Sequence, residues 1–270
     1  MTRMPVVFFG HGSPMIALET NDTTRSWAAT AARIERVYGR PKAILCISAH
    51  WLTRGIAVTA MAAPQTIHDF GAFPQALFDV QYPAPGDPVL AARVRDLLAP
   101  TPVALDHSQW GLDHGTWSVL LKAYPQADIP VVQLSMDTSL SPAGHYAVGQ
   151  RLRALRDEGI LIVGTGNIVH NLSRMDFRNR DAAPFDWAQR FNDHVRNAIL
   201  SDRPEGAIDF ASLGQDARDS VPSPDHYWPL LYVLGARDPG DVVEFGPDHI
   251  EHRSLSMTSV LLASPVPANA

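Results

Sequence analysis

The chain has 270 residues, 46% of them apolar and 19% charged, with 22 basic against 28 acidic side chains and a formal charge of −6. That is enough chain to bury a large core, and the absence of a dense basic run argues against nucleic acid or an anionic membrane as the main partner. No apolar stretch approaches the roughly 18 residues of a membrane span, and the N-terminus lacks the charged, apolar and cleavage regions of a secretory leader, so a cytoplasmic protein is expected. Cys46, the single cysteine, lies in an apolar run and has no internal disulfide partner, so it reads as a small core residue.

In chain order, short β-rich runs alternate with helix-length amphipathic segments, the pattern of an α/β sheet. A strand over Val6–Phe9 leads to a helix over Thr24–Tyr38, then strands over Ala43–Ser48 and Ile56–Ala60. The stretch 62–81 is rich in proline, glycine and aromatics, and its aromatics need cover, so it reads as a packed loop over a pocket. Helices follow over Pro88–Leu98 and Thr116–Tyr124, a strand over Val131–Leu134, a helix over Ser141–Asp157 and a strand over Ile160–Val163. Helices over Pro184–Ser201 and Pro224–Leu234 and a late strand over Ser256–Leu262 complete the set. Asp87-Pro88, Ser141-Pro142 and Ser223-Pro224 each put a capping side chain before a proline at the first helical position. No linker or internal repeat interrupts the chain, so residues 1–270 read as a single domain.

Four histidines sit just past strand-like runs or at helix openings: His11, His50, His170 and His226. Strand ends of an open α/β sheet converge on one crevice, so this placement predicts a histidine-rich metal centre. Gly12-Ser13-Pro14 turns the backbone beside His11, and the small Ser48-Ala49 pair leaves room beside His50, with Trp51 as a pocket wall. His226 is expected near the third position of its helix, where the helix dipole favours neutral imidazole, the form that ligates metal. Pro229 is expected in the first turn, where it removes a backbone donor. Gly164-Thr-Gly-Asn before His170 lacks the lysine and the full glycine pattern of a phosphate loop. His114, between Asp113 and Gly115, is the fifth candidate, and His68 sits in the aromatic loop. His107, His145, His194, His249 and His252 read as surface or structural residues. Ser13, Trp51, His68 and Tyr227 are the candidate substrate contacts.

The motifs His11-Gly-Ser-Pro-Met, Ser48-Ala-His-Trp, Ile67-His-Asp-Phe-Gly, Phe73-Pro-Gln-Ala-Leu, Tyr82-Pro-Ala-Pro-Gly, Gly111-Leu-Asp-His-Gly-Thr-Trp, Gly166-Asn-Ile-Val-His-Asn-Leu and Pro224-Asp-His-Tyr-Trp-Pro-Leu-Leu-Tyr span nearly the whole chain. Together they closely resemble the DOPA 4,5-dioxygenase branch of the class III (LigB-type) extradiol ring-cleavage dioxygenases. The resemblance implies an α/β fold with a central mixed β-sheet flanked by helices and a non-haem Fe(II) site at the strand ends. It also implies insertion of both atoms of O2 into a catechol beside its hydroxyl pair. Carried over position by position, it makes His11, His50 and His226 the core metal ligands, with His170 either ligating or serving as acid/base. The wider superfamily commonly has a carboxylate as third protein ligand, and the matching position here is His226. An all-histidine site carries one fewer negative charge, which makes the ion a stronger Lewis acid.

Fe(II) is expected for activity, and Zn(II) suits the same imidazoles as the bound ion without supporting oxygenase chemistry. A catechol chelating the ion loses proton affinity, and a neutral His170 or His114 takes the remaining hydroxyl proton near neutral pH, leading to a ring-opened semialdehyde. The sequence leaves two other readings open: a zinc-dependent hydrolase on the same histidines, and a non-catalytic ligand- or partner-binding protein of the same fold. The identity of the catechol and the oligomeric state, a homodimer included, stay open at this level.

Overall fold

The structure, a computed structural model, describes residues 3–265. Among the described residues ten strands are present: β1 (Val6–Gly10), β2 (Ala43–Thr53), β3 (Ile56–Thr59), β4 (Val103–Asp106), β5 (Val131–Asp137), β6 (Ile160–Gly166), β7 (Val242–Phe245), β8 (Ile250–Glu251), β9 (Leu255–Ser256) and β10 (Val260–Ala263). Eight of them form one sheet in the order β4-β3-β5-β2-β6-β1-β10-β7, while β8 and β9 pair separately. The four central strands run parallel, and the pairings of β3 with β5, of β10 with β1 and of β7 with β10 are antiparallel, so the sheet is mixed as expected.

The helices are α1 (Asp22–Tyr38), α2 (Gln75–Phe78), α3 (Pro88–Leu97), α4 (His114–Ala123), α5 (Pro142–Leu152), α6 (Asp186–Leu200), α7 (Glu205–Ile208), α8 (Gln215–Ser220) and α9 (Trp228–Gly235). Each central strand is apolar at successive positions because both of its faces are covered. In β1, Val7 and Phe9 pack toward Trp27, Ala31 and Ile34 of α1 and Trp117 of α4. Val6 and Phe8 pack on the opposite face, in the layer holding Val148 of α5, Phe191 of α6 and Leu230 of α9. Cys46 is buried in the first of these layers, as its apolar context implied.

Asp87 and Ser141 cap α3 and α5 as expected, accepting from Val89 and Leu90 and from Gly144. Three expectations need correction. The helix expected from Pro224 begins at Trp228, so Ser223-Pro224 opens a turn and Pro229 falls in the first turn of α9, where the missing N–H breaks no helical bond. The late run divides into β9 and β10, because Met257 and Ser259 bond the loop carbonyls of His249 and Pro247 instead of continuing one ladder. Strands β4 and β7, at the two edges of the sheet, are additions to the expected set, since half-exposed edge segments lack a continuous apolar run.

Candidate metal centre

Register puts the C-terminal ends of β1, β6 and β2 side by side, with Gly10 opposite Gly166 and Ser48 opposite Thr165. His11 follows β1 directly and His50 lies near the C-terminal end of strand β2, so the two imidazoles flank the end of β6. Their Nε2 atoms stand 3.2 Å apart. His226 comes from the turn before α9, and its ring centroid is 5.4 Å from that of His11 and 5.0 Å from that of His50. One nitrogen from each of the three rings lies within 4.8 Å of the other two.

Glycine makes this approach feasible at two points. A Cβ on Gly166 would collide with the carbonyl oxygen of His226, so the Gly164-Thr-Gly-Asn run lets the His226 turn press onto β6. A Cβ on Gly115 would stand 2.5 Å from Ser48 Oγ and 2.7 Å from His50 Cδ2, so glycine there lets the first turn of α4 seat against His50. Asn167 then ties the three loops together. Its side-chain amide donates to the carbonyls of His11 and Ser256, and its backbone N–H donates to the carbonyl of His226 at 2.8 Å.

The electrostatics suit a cation. Burial, reinforced by the neighbouring imidazoles, pushes His11 and His226 well below the ordinary histidine value, and burial with His114 alongside pushes His50 down to about 3. All three are therefore neutral near pH 7, the ligating form. His226 Nδ1 faces Asp225 Oδ2 at 2.5 Å, and since a carboxylate only accepts, Nδ1 carries the proton and Nε2 keeps its lone pair. Two nitrogens each about 2.0–2.1 Å from one tetrahedral ion would stand roughly 3.3 Å apart, close to the His11–His50 separation. His11 Nδ1 is buried without a partner. The donor set therefore fits a divalent metal.

Two more histidines border this group. The His170 ring stacks on His226 with centroids 3.5 Å apart and planes 4° from parallel, and burial pushes its pKa down to about 4. His114, the first residue of α4, sits 3.8 Å from His50 and 6.1 Å from His11 by ring centroid. Its Nδ1 is 3.0 Å from Asp69 Oδ2, and its backbone N–H donates to Asp69 Oδ1 at 2.8 Å. Burial raises Asp69, but the hydrogen bonds and charge of His114 outweigh it and hold the carboxyl below its usual value.

The expected substrate contacts divide. Ser13 is exposed beside His11 and caps the short helical turn after it, accepting from Met15 N–H at 3.3 Å. Trp51, one residue past His50, stacks on Trp110 with centroids 5.6 Å apart. His68 bonds the Val80 carbonyl at 2.9 Å and packs among Phe70, Phe78 and Trp117, so the structure puts it in the wall of the aromatic loop, apart from the histidine group. Tyr227 is fully buried among core residues, with its hydroxyl donated to the Ala207 carbonyl at 2.8 Å, so it points away from its neighbour His226's partners. Among the histidines read as surface or structural, His145 is fully buried, with Nδ1 3.0 Å from the Tyr232 hydroxyl. Asp69, Asn167 and Asp225 join the site without having been candidates. Each lies inside one of the motifs, and the signal available is a carboxylate or amide directly beside a candidate histidine or glycine turn.

Fold and centre together define an α/β protein with a histidine-rich candidate metal centre at its strand ends, and residues 5–263 match the family described as the catalytic LigB subunit of aromatic ring-opening dioxygenase. The chain belongs to that family and is an extradiol dioxygenase of class III. It is 51% identical over 261 residues to the 4,5-DOPA dioxygenase extradiol of Escherichia coli (strain K12), covering 96% of this chain and 94% of that protein. It is 37% identical over 233 residues to the Beta vulgaris protein of the same name, with 85% of each covered. The crystal structure of an uncharacterized Escherichia coli K12 protein superposes with a TM-score of 0.83 at 45% identity, covering 97% of this chain and 100% of that one. Among the described residues no helix is long and apolar enough to cross a membrane.

Proposed function

We propose that the chain opens the ring of a 4-substituted catechol of the DOPA type, using Fe(II) held by His11, His50 and His226, to give a ring-opened semialdehyde. The observation that carries this reading is the convergence of three neutral imidazoles, with His11 and His50 Nε2 at 3.2 Å, beside two further histidines, of which His114 forms a second, overlapping donor group with His50 and Asp69. The names of the relatives, 4,5-DOPA dioxygenase extradiol in both bacterium and plant, support the substrate class.

Bound Fe(II) supplies a Lewis acid for both catechol oxygens and a route for electrons from ring to dioxygen. The protein's own groups do the rest. Asp225 holds His226 in the tautomer that offers Nε2 to the ion. His170 serves as acid/base and not as a ligand, because a lone pair lies in the ring plane and two stacked parallel rings cannot both aim at one point. His114 takes the second proton site, on the side of His50. Phe70, whose ring lies 5.5 Å from His114, and the packed loop around it keep bulk water from that side. Ser13 and Trp51 border the entrance. The sheet joins β1 to β10 from opposite ends of the chain, which supports reading residues 1–270 as one catalytic domain, and we place that domain's work in the cytoplasm.

Oxygen uptake on adding a panel of substituted catechols to anaerobically Fe(II)-loaded protein tests the reading. Uptake with growth of a yellow ring-opened product on DOPA-type catechols is expected, and no uptake with any catechol would overturn it.

A further inference from the structure

Resting on the ligand assignment above, we propose that Asn167 is a positioning residue whose side-chain amide holds the His11 and His226 loops at the separation one ion requires, before that ion arrives. The peptide between Gly166 and Asn167 bonds both ligand backbones. Its carbonyl, on Gly166, accepts the His11 N–H at 3.0 Å, and its N–H, on Asn167, donates to the His226 carbonyl at 2.8 Å. This peptide is trans, so those two groups point in opposite directions and one planar unit stands between the two backbones. The third ligand is referred to the same strand, since β2, which bears His50, pairs with β6 as far as Ser48 opposite Thr165.

Those main-chain bonds are open to most residues at position 167, and the side chain adds two more. Asn167 is 1% exposed, and its Nδ2 donates both protons, one to the His11 carbonyl and one, at 2.7 Å, to the Ser256 carbonyl. His11 is thereby held at its N–H and at its carbonyl by residues 166 and 167, which fixes where its ring leaves the backbone. Ser256 belongs to β9, so the β8-β9 hairpin is bound into the same junction. Neither His11 nor His226 lies in regular structure: the first follows the last residue of β1, and the second sits in the turn before α9. The amide cannot be turned over, because Oδ1 would then face two carbonyl oxygens. Oδ1 is left buried without a partner, an unfavourable state that persists while both donors are engaged. A ligand set already spaced for its ion loses no binding energy to gathering loops, which is what the two donors secure.

Asn167→Ala tests this, because it removes the two donors and leaves both main-chain bonds of the Gly166-Asn167 peptide. Competition of the cobalt-loaded protein against a chelator, at a temperature where circular dichroism shows both chains fully folded, should give a Kd raised about 10–100-fold. His11→Ala should lose the metal altogether. In the metal-free parent chain, the two Asn167 side-chain amide protons, assigned by NMR through their own Cβ, should already be protected from solvent exchange. Exchange at the rate of a free amide until zinc is added would overturn the proposal even if the variant did not fold, because the ion would then assemble the junction. A lower urea midpoint with unaltered cobalt affinity would make Asn167 a structural residue only, and would overturn it too. Retention of the metal by His11→Ala would refute the ligand assignment itself, whereas an unaltered affinity in Asn167→Ala beside loss in His11→Ala would refute only the role of Asn167.

Discussion

His170 and His226 lie face to face, with ring centroids 3.5 Å apart and planes within 4° of parallel. On the proposed reading, the stack would let His226 hold the ion through its ring plane and leave His170 beside it as an acid/base. Removing His170 should therefore leave the metal and remove a proton carrier, whereas removing His50 should remove the metal. His170→Gln is expected to bind a full equivalent of iron and lose about 10²–10⁴-fold in kcat. His50→Ala should lose both, as measured by elemental analysis beside oxygen uptake. Loss of the metal from His170→Gln would make it a fourth ligand.

Asp225 orients His226 through a 2.5 Å contact to Nδ1, and outer partners of this kind tune affinity without touching the ion. Asp225→Ala should weaken metal binding about 10–100-fold. Competition of the cobalt-loaded protein against a chelator reads the change. An unaltered affinity would mean that burial alone sets the tautomer.

Much of this arrangement is legible in the amino-acid sequence. The central strands stand out because burial on both faces makes them continuously apolar, as in Val6–Phe9 and Ile160–Val163, and histidines at their ends can only converge. What the sequence hides depends on distant partners. Asp69 gains its meaning from an α4 terminus 45 residues away, and Tyr227 departs from its neighbour His226 because its hydroxyl finds a core acceptor at Ala207. Ser223-Pro224 carries the chemistry of a helix start, yet the chain spends four further residues on the turn that delivers His226. Edge strands β4 and β7, half in solvent, leave no periodic signal.

Metal-free protein should be acid-sensitive for a definite reason. His50 is pushed to about 3, His145 and His170 to about 4, and His11 and His226 well below their ordinary value, all with burial as the first cause. The unfolded chain protonates these groups near pH 6.5 and the folded chain does not, so folding stability is complete above that pH and falls as pH drops toward 3–4. Each group contributes a slope of about 1.4 kcal/mol per pH unit inside that window. Melting of chelator-treated protein at pH 7.5, 6.5 and 5.5 should show a fall beginning below 6.5, and added zinc should raise the melting temperature at each pH without removing that fall. A melting temperature independent of pH over this range would contradict neutral burial.

Gly166 faces the His226 carbonyl with no room for a methyl group. Gly166→Ala should cost about 1–3 kcal/mol of stability, measured by urea unfolding, and should displace the His226 turn enough to weaken metal binding. Parent-like stability and affinity together would show that the turn yields freely.

The central claim is that both atoms of dioxygen enter the ring-opened product at the three-imidazole centre. Mass spectrometry of the product formed from a DOPA-type catechol under 18O2 by the Fe(II)-loaded protein tests it most directly. A product heavier by two labelled atoms, allowing for exchange of the aldehyde oxygen with water, is the predicted result. An unlabelled product, or a hydroxylated catechol with its ring intact, would contradict it.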